Sequence, residues 1–183
     1  MILFINACVR KESRTKRLAD YLLNKLDDEI KEINLEKENI QPLNQEMLDF
    51  RTKLTESGRF DNNIFDYAKD FAKADTIVIA APFWDLSFPS SLKCYIEAIN
   101  IIGLTFAYNT DDIPYGLCRA KKLYYVTTSG GKIFNDEFGF GYIKSLCHNF
   151  YGIKDVTLIK AEELDITGAD IESILKKAED TIL

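Results

Sequence analysis

The chain has 183 residues, 46% hydrophobic, 12% aromatic and 28% charged, with 9 Gly and 4 Pro. That composition excludes disordered, collagen-like and low-complexity proteins and fits one globular domain over residues 1–183, since a domain typically holds roughly 100–200 residues. Lys plus Arg number 23 against 29 Asp plus Glu, for a net charge of −6, which leaves no overall positive field for nucleic acid or anionic lipid.

The apolar run at residues 2–5 follows no basic leader and ends in a loop; Leu18, Tyr21, Leu22 and Leu26 then recur at helical spacing. The opening therefore reads strand, loop, helix. Residues 30–35 alternate apolar and charged positions, as an edge strand does, whereas residues 76–81 are continuously apolar, as a strand covered on both faces is. Further strands are predicted at 123–127 and 156–159, and helices at 64–73, 90–102, 141–150 and 169–182. Five strands alternating with helices imply an α/β fold with a doubly wound parallel sheet and helices on both faces, because parallel neighbours need crossovers. Residues 36–59, with Pro42 and Gly58, read as an excursion holding one extra helix. No apolar stretch approaches the roughly 18 residues needed to cross a bilayer, so no membrane association and a cytoplasmic location are expected. The four cysteines (Cys8, Cys94, Cys118, Cys147) have neither Cys-x-x-Cys nor zinc-finger spacing and read mostly as reduced core thiols.

Ligands of such sheets bind beyond the carboxyl ends of the strands, where strand order reverses. After the first strand, residues 10–17 hold five bases and one acid. Arg10, Lys11, Arg14, Lys16 and Arg17 at a helix start oppose the helix dipole unless an anion binds there, and phosphate suits Ser13, Arg14 and Thr15; a solvated turn with Ser13 as N-cap accounts for the same residues. After the third strand comes an aromatic loop at 82–89 with the chain's one Trp and two Phe. Such a loop either packs on its own core or is covered by a flat ligand or partner. After the fourth strand, Thr127, Thr128, Ser129, Gly130 and Gly131 form a turn whose paired glycines permit close approach of a ligand. A metal site is not expected: the single histidine, His148, lies near the end of a predicted helix and suits a C-terminal cation or packing role.

Taken together, Ser13-Arg-Thr15, residues 81–89 with Leu92-Lys93, Gly103-Leu-Thr-Phe106, Gly116-Leu117, residues 127–131, Gly152-Ile153 and Ala161-Glu162 resemble the FMN-dependent NADH azoreductases and related NAD(P)H:quinone oxidoreductases of flavodoxin-like fold. The resemblance implies that Ser13, Arg14 and Thr15 hold the FMN phosphate. It implies that Pro82, Phe83, Trp84, Asp85 and Leu86 line the flavin ring, and that Thr128, Ser129, Gly130 and Gly131 approach its pyrimidine edge. It further implies a homodimer with FMN at the interface, NADH or NADPH as donor, a quinone, azo or nitroaromatic acceptor, and two-step hydride transfer with no catalytic side chain. Cys8 stands where a phosphate-binding hydroxyl is usual, Trp84 where Tyr is common and Asp85 where Asn is common. Ser129 replaces an Arg, and Glu163 a Gly. An Asp carboxylate has no amide donor, so Asp85 is expected to accept from flavin N3–H and to lower the flavin potential.

Two alternatives share these residues. Cys8 and Arg14 form a literal Cys-x5-Arg-Thr between strand and helix, resembling low-molecular-weight tyrosine phosphatases, in which a thiolate at a helix N-terminus attacks phosphorus. The third reading is a flavodoxin-type electron carrier. The Phe134, Phe138, Phe140 and Tyr142 cluster suits a covered substrate pocket or plain packing.

Overall fold

The computed structural model describes residues 1–182. Strand β1 (Ile2–Asn6) leads into helix α1 (Arg14–Leu23), and β2 (Ile30–Asn34) into the short α2 (Leu35–Glu38). Helices α3 (Gln45–Glu56) and α4 (Asp66–Lys73) precede β3 (Thr76–Ala80), and α5 (Ser90–Ile99) precedes a small hairpin of β4 (Phe106–Tyr108) and β5 (Pro114–Gly116). The chain closes with β6 (Lys122–Thr128), α6 (Tyr142–Leu146), β7 (Asp155–Ala161) and α7 (Ile171–Glu179). The five expected strands form one parallel sheet in the order β2-β1-β3-β6-β7, so the strand order reverses between β1 and β3.

The pleat sends alternate residues to opposite faces, and both faces are apolar. Leu3, Ile5, Ile77, Ile79, Leu123 and Tyr125 enter one core with Phe65, Phe71, Tyr95 and Ile96 from the α4–α5 side. Ile2, Phe4, Val78, Tyr124 and Val126 enter the other with Leu18 and Leu22 of α1 and Leu175 of α7. Each fully buried Leu, Ile or Phe is worth about 1.5–3 kcal/mol, so two filled cores fix the register of the sheet and the position of its carboxyl-end loops. β2 lies at the edge and exposes Ile30, Lys31 and Glu32, which is why its sequence alternates.

Three segments differ from the sequence expectation. The 36–59 excursion holds α3 and also the one-turn α2, each capped by an Asn: Asn34 Oδ1 accepts from Glu36 N–H and Asn44 Oδ1 from Met47 N–H. The helix expected at 141–150 begins earlier and runs as α6 between two π-helical turns, Glu137–Gly141 and Cys147–Tyr151. The antiparallel β4–β5 hairpin was not expected, because three-residue strands are too short to carry an alternating pattern. Among the described residues no helix is long and apolar enough to cross a membrane.

Candidate functional site

A cleft of about 280 Å³ opens at the carboxyl end of the sheet, at the reversal point between β1 and β3. The β1–α1 loop contributes Val9, Arg10, Glu12, Ser13, Arg14 and Thr15; the loop after β3 contributes Pro82, Phe83 and Trp84; and the loops after β6 and β7 contribute Thr128, Ser129, Gly130, Leu164 and Asp165. Residues more than 150 positions apart thus meet in one crevice.

The α1 end is an anion cradle by construction. Ser13 caps the helix, accepting from Lys16 N–H at 3.2 Å, and its carbonyl accepts from Arg17 N–H at 3.0 Å. The N–H groups of Arg14 and Thr15 belong to the first turn, where a helix offers no internal acceptor, and neither finds one among the described residues. No acid occupies this first turn. Thr15 is buried and its hydroxyl shares a 2.6 Å hydrogen bond with that of Thr128, which pins the helix start to the end of β6. Arg14 Nη1 donates to Asp165 Oδ1 at 2.7 Å and to the Leu164 carbonyl at 3.1 Å.

The opposite wall is the loop after β3. Phe83 N–H donates to the Thr128 carbonyl at 3.0 Å, which fastens the loop to β6. Trp84 and Ser87 exchange backbone hydrogen bonds of 3.1 and 2.7 Å around a turn whose central residues, Asp85 (φ 50°) and Leu86 (φ 65°), are both left-handed. That is the geometry of a type I′ turn, which costs roughly 1–2 kcal/mol for each non-glycine residue. Ser87 Oγ donates to the Phe138 carbonyl at 2.6 Å, which ties the turn to the first π-helical segment. Trp84 is 38% exposed, Leu86 60%, Phe138 58% and Phe134 90%, so an apolar rim surrounds the mouth.

The floor is made by two loops zipped together. Ser129 N–H donates to Ala161, Leu164 N–H to Ser129, and Asp165 N–H to Gly130, at 2.9–3.1 Å. With Phe83 N–H on Thr128 and Glu163 N–H on Gly131, the carbonyls of residues 128–131 are all occupied, whereas the N–H groups of Gly130 and Gly131 have no acceptor among the described residues. A Cβ on Gly130 would stand 2.5 Å from Asp165 Oδ2, so glycine is what lets the carboxylate sit there. Glu162 accepts from Ile133 N–H at 2.7 Å and pairs with Lys160; burial pushes its carboxyl up, and these two donors more than reverse that, holding it below its usual range.

Of the residues predicted from sequence, Ser13, Arg14, Thr15, Pro82, Phe83, Trp84, Thr128, Ser129 and Gly130 line the cleft together; Cys8, Asp85, Leu86 and Gly131 do not. Asp85 is at the exposed tip of the I′ turn, so the expected contact from its carboxylate is not a feature of the cleft wall. Cys8 is 5% exposed, its sulfur 3.8 Å from the Ala80 carbonyl, and burial pushes its thiol up to about 11. A buried thiol whose proton is held more tightly than usual is poorly suited to act as a nucleophile, which does not favour the phosphatase alternative. Val9, Leu164 and Asp165 were missed: Val9 carried no chemical signal, and the last two reach the site only through the β6–β7 pairing. His148 is exposed and bonds the Lys154 carbonyl at 3.2 Å, remote from the cleft lining. All four cysteines are free, with Cys8 and Cys147 buried.

The residues fit FMN. Orphan N–H groups, Ser13 and the Arg10 and Arg14 side chains suit the phosphate; Pro82, Phe83 and Trp84 offer an apolar wall for a flat ring; and the Gly130 and Gly131 N–H groups suit its carbonyl-bearing edge.

A family model described as flavodoxin-like fold matches residues 1–183. The chain is 39% identical to an FMN-dependent NADH:quinone oxidoreductase 2 of Clostridium acetobutylicum, over 96% of this chain and 92% of that one. It is 38% identical to an FMN-dependent NADH:quinone oxidoreductase of Clostridium beijerinckii, over 98% and 94%. Among solved structures, an azoreductase from Bacillus anthracis superposes with a TM-score of 0.85 at 22% identity, covering 99% of this chain and 95% of that one. An FMN-dependent NADH-azoreductase from Bacillus anthracis, solved in complex with FMN, superposes with a TM-score of 0.82 at 24% identity, covering 99% and 95%. Those two likenesses concern the fold.

Proposed function

We propose that this chain, which belongs to the family of FMN-dependent NADH:quinone oxidoreductases with flavodoxin-like fold, is itself an FMN-dependent enzyme that moves hydride equivalents from NADH to a quinone. The observation that carries this is the single cleft that joins an anion cradle, an apolar wall and a row of free N–H donors at the strand-order reversal. When bound in this cleft, FMN would supply the redox chemistry, two half-reactions of hydride exchange with NADH and then with a quinone.

The protein's work is positional. Ser13, Arg14 and Thr15 hold the phosphate through two first-turn N–H groups, the Ser13 hydroxyl and the guanidinium. Pro82, Phe83 and Trp84 flank the ring and keep water from one face. Gly130 and Gly131 direct their N–H donors at its pyrimidine edge, where N–H dipoles stabilise added negative charge, while Thr128 and Ser129 hold that loop in place through their bonds to Phe83, Thr15, Ala161 and Leu164. Asp85 and Leu86 act by backbone, holding the I′ turn that aims Trp84. Cys8 acts by packing beneath the loop.

The cleft, at about 280 Å³, falls just below the roughly 300–1,000 Å³ range of ligand sites. It covers part of a molecule the size of FMN and leaves the apolar rim of Trp84, Leu86, Phe134 and Phe138 in water. A second copy of the chain burying that rim completes the site, which gives a homodimer with FMN at its interface. Azo compounds and nitroaromatics are further planar acceptors for the same open face. The enzyme works in the cytoplasm, where NADH is available and its four cysteines stay reduced.

The test is rapid mixing without oxygen. The reconstituted protein mixed with NADH is expected to lose the visible absorbance of oxidised flavin and to regain it on adding a benzoquinone once NADH is spent. Bleaching without recovery by quinone contradicts the acceptor, and no bleaching by NADH contradicts the donor. Sedimentation of the same protein reports the dimer.

A further inference from the structure

Among the groups lining the cleft, two are cationic, Arg10 and Arg14, and two are anionic, Glu12 and Asp165. They are not equivalent. Arg10 and Glu12 are exposed and have no ion-pair partner among the described residues, whereas Arg14 and Asp165 are joined at 2.7 Å. Asp165 is also held from behind: its N–H donates to the Gly130 carbonyl at 2.9 Å, and its second carboxylate oxygen lies over Gly130, where a Cβ would meet it at 2.5 Å. The neighbouring Leu164 carbonyl accepts from the same Arg14 Nη1 at 3.1 Å. Asp165 thus comes from the β7–α7 loop, 151 positions from Arg14, and occupies the one paired cation of the cradle.

We propose that Asp165 is a positioning residue that sets the affinity of this site for phosphate-bearing flavin: its carboxylate competes with the flavin phosphate for the Arg14 guanidinium. The inference rests on the FMN reading above. A carboxylate and a phosphate both seek the forked N–H donors of an arginine. Arg14 therefore cannot give its full charge to an incoming phosphate while Asp165 holds it, and the carboxylate adds repulsion toward a dianion at the cleft mouth. The competition acts on the phosphate alone, so it weakens FMN without affecting a flavin that lacks phosphate. Neutral Asn at 165 retains an oxygen that accepts from Nη1, so Asp165→Asn removes charge while keeping the orientation.

Flavin-free protein is titrated with FMN and, separately, with riboflavin, following quenching of flavin fluorescence, in the parent, Asp165→Asn, Arg14→Gln and the double variant. An exposed pair is worth up to about 1 kcal/mol, so Asp165→Asn is expected to tighten FMN about three- to fivefold while riboflavin changes less than about 1.5-fold. The gain is expected to shrink at high salt and to fall below about twofold in the Arg14→Gln background, where no guanidinium is left to release. Unchanged or weaker FMN binding in Asp165→Asn overturns the proposal, as does equal tightening of riboflavin or a gain that persists without Arg14. Failure of the parent to bind either flavin sinks the FMN reading itself, and the proposal with it. Parent binding of FMN with no effect of Asp165→Asn sinks the proposal alone.

Discussion

The contact that fixes the helix start over the sheet is the hydroxyl pair of Thr15 and Thr128, 1% and 8% exposed and 2.6 Å apart. Thr15→Val is nearly isosteric, so it leaves the packing of α1 intact while removing one partner of a buried bond. The Thr128 hydroxyl then stays buried without its donor or acceptor, which costs about 1–3 kcal/mol, offset by about 0.8 kcal/mol for the methyl that replaces a hydroxyl. A net loss of about 0.2–2 kcal/mol is expected, and Thr128→Val should lose a similar amount by the same argument. The double variant buries two methyls and orphans nothing, so it should lose less than either single change, a coupling of about 1.5–3 kcal/mol. Urea unfolding of the parent and the three variants, followed by circular dichroism, measures each quantity through the midpoint at constant slope. Additive losses would refute the reasoning, because they would mean that the two hydroxyls do not depend on each other. The first-turn N–H groups are untouched by Thr15→Val, so FMN binding should weaken only as far as the helix start shifts.

Two further outcomes follow from other parts of the molecule. Burial pushes the thiols of Cys8, Cys118 and Cys147 up to about 11, 12 and 12 from 9.0. The unfolded chain releases those protons near pH 9 and the folded chain does not, so their contribution is intact below pH 9 and falls as pH rises toward 11–12. At pH 10 the loss is on the order of 1 kcal/mol per thiol, and Cys8→Ala should show a correspondingly shallower decline between pH 8 and 10 in urea unfolding; an unchanged decline would contradict the burial argument. Leu86, left-handed at φ 65° in the I′ turn, is a position that glycine fills without steric cost, so Leu86→Gly should raise stability by about 1 kcal/mol. A fall in the urea midpoint would show that Leu86 earns its place by packing.

Much of this architecture is legible in the sequence because it is written in periodicity. Continuous apolar runs such as 76–81 mark strands that are buried on both faces, and the alternation at 30–35 marks the edge. The order of three unusual loops after three strands then places the cleft, since a doubly wound sheet has one reversal point. What escaped is of two kinds. The β4–β5 hairpin and the π-helical turns flanking α6 depend on tertiary packing, notably the close approach of Gly116 to the Tyr151–Gly152 backbone, rather than on a pattern in their own residues. The Arg14–Asp165 pair joins two loops far apart in sequence, and nothing local to Asp165 marks it. Cys8 shows the opposite error: its spacing to Arg14 matches a nucleophile, yet in the loop after β1 its side chain is buried and Val9 takes the place on the cleft wall.

The central claim is that one cleft holds FMN by its phosphate at the start of α1 and by its ring against residues 82–84. A crystal structure of the chain grown with FMN tests it most directly. The account predicts the phosphate within hydrogen-bond reach of the Arg14 and Thr15 N–H groups, the ring against Phe83 and Trp84, and its pyrimidine edge on the Gly130 and Gly131 N–H groups. A flavin bound elsewhere, or a phosphate turned away from the helix start, would contradict it.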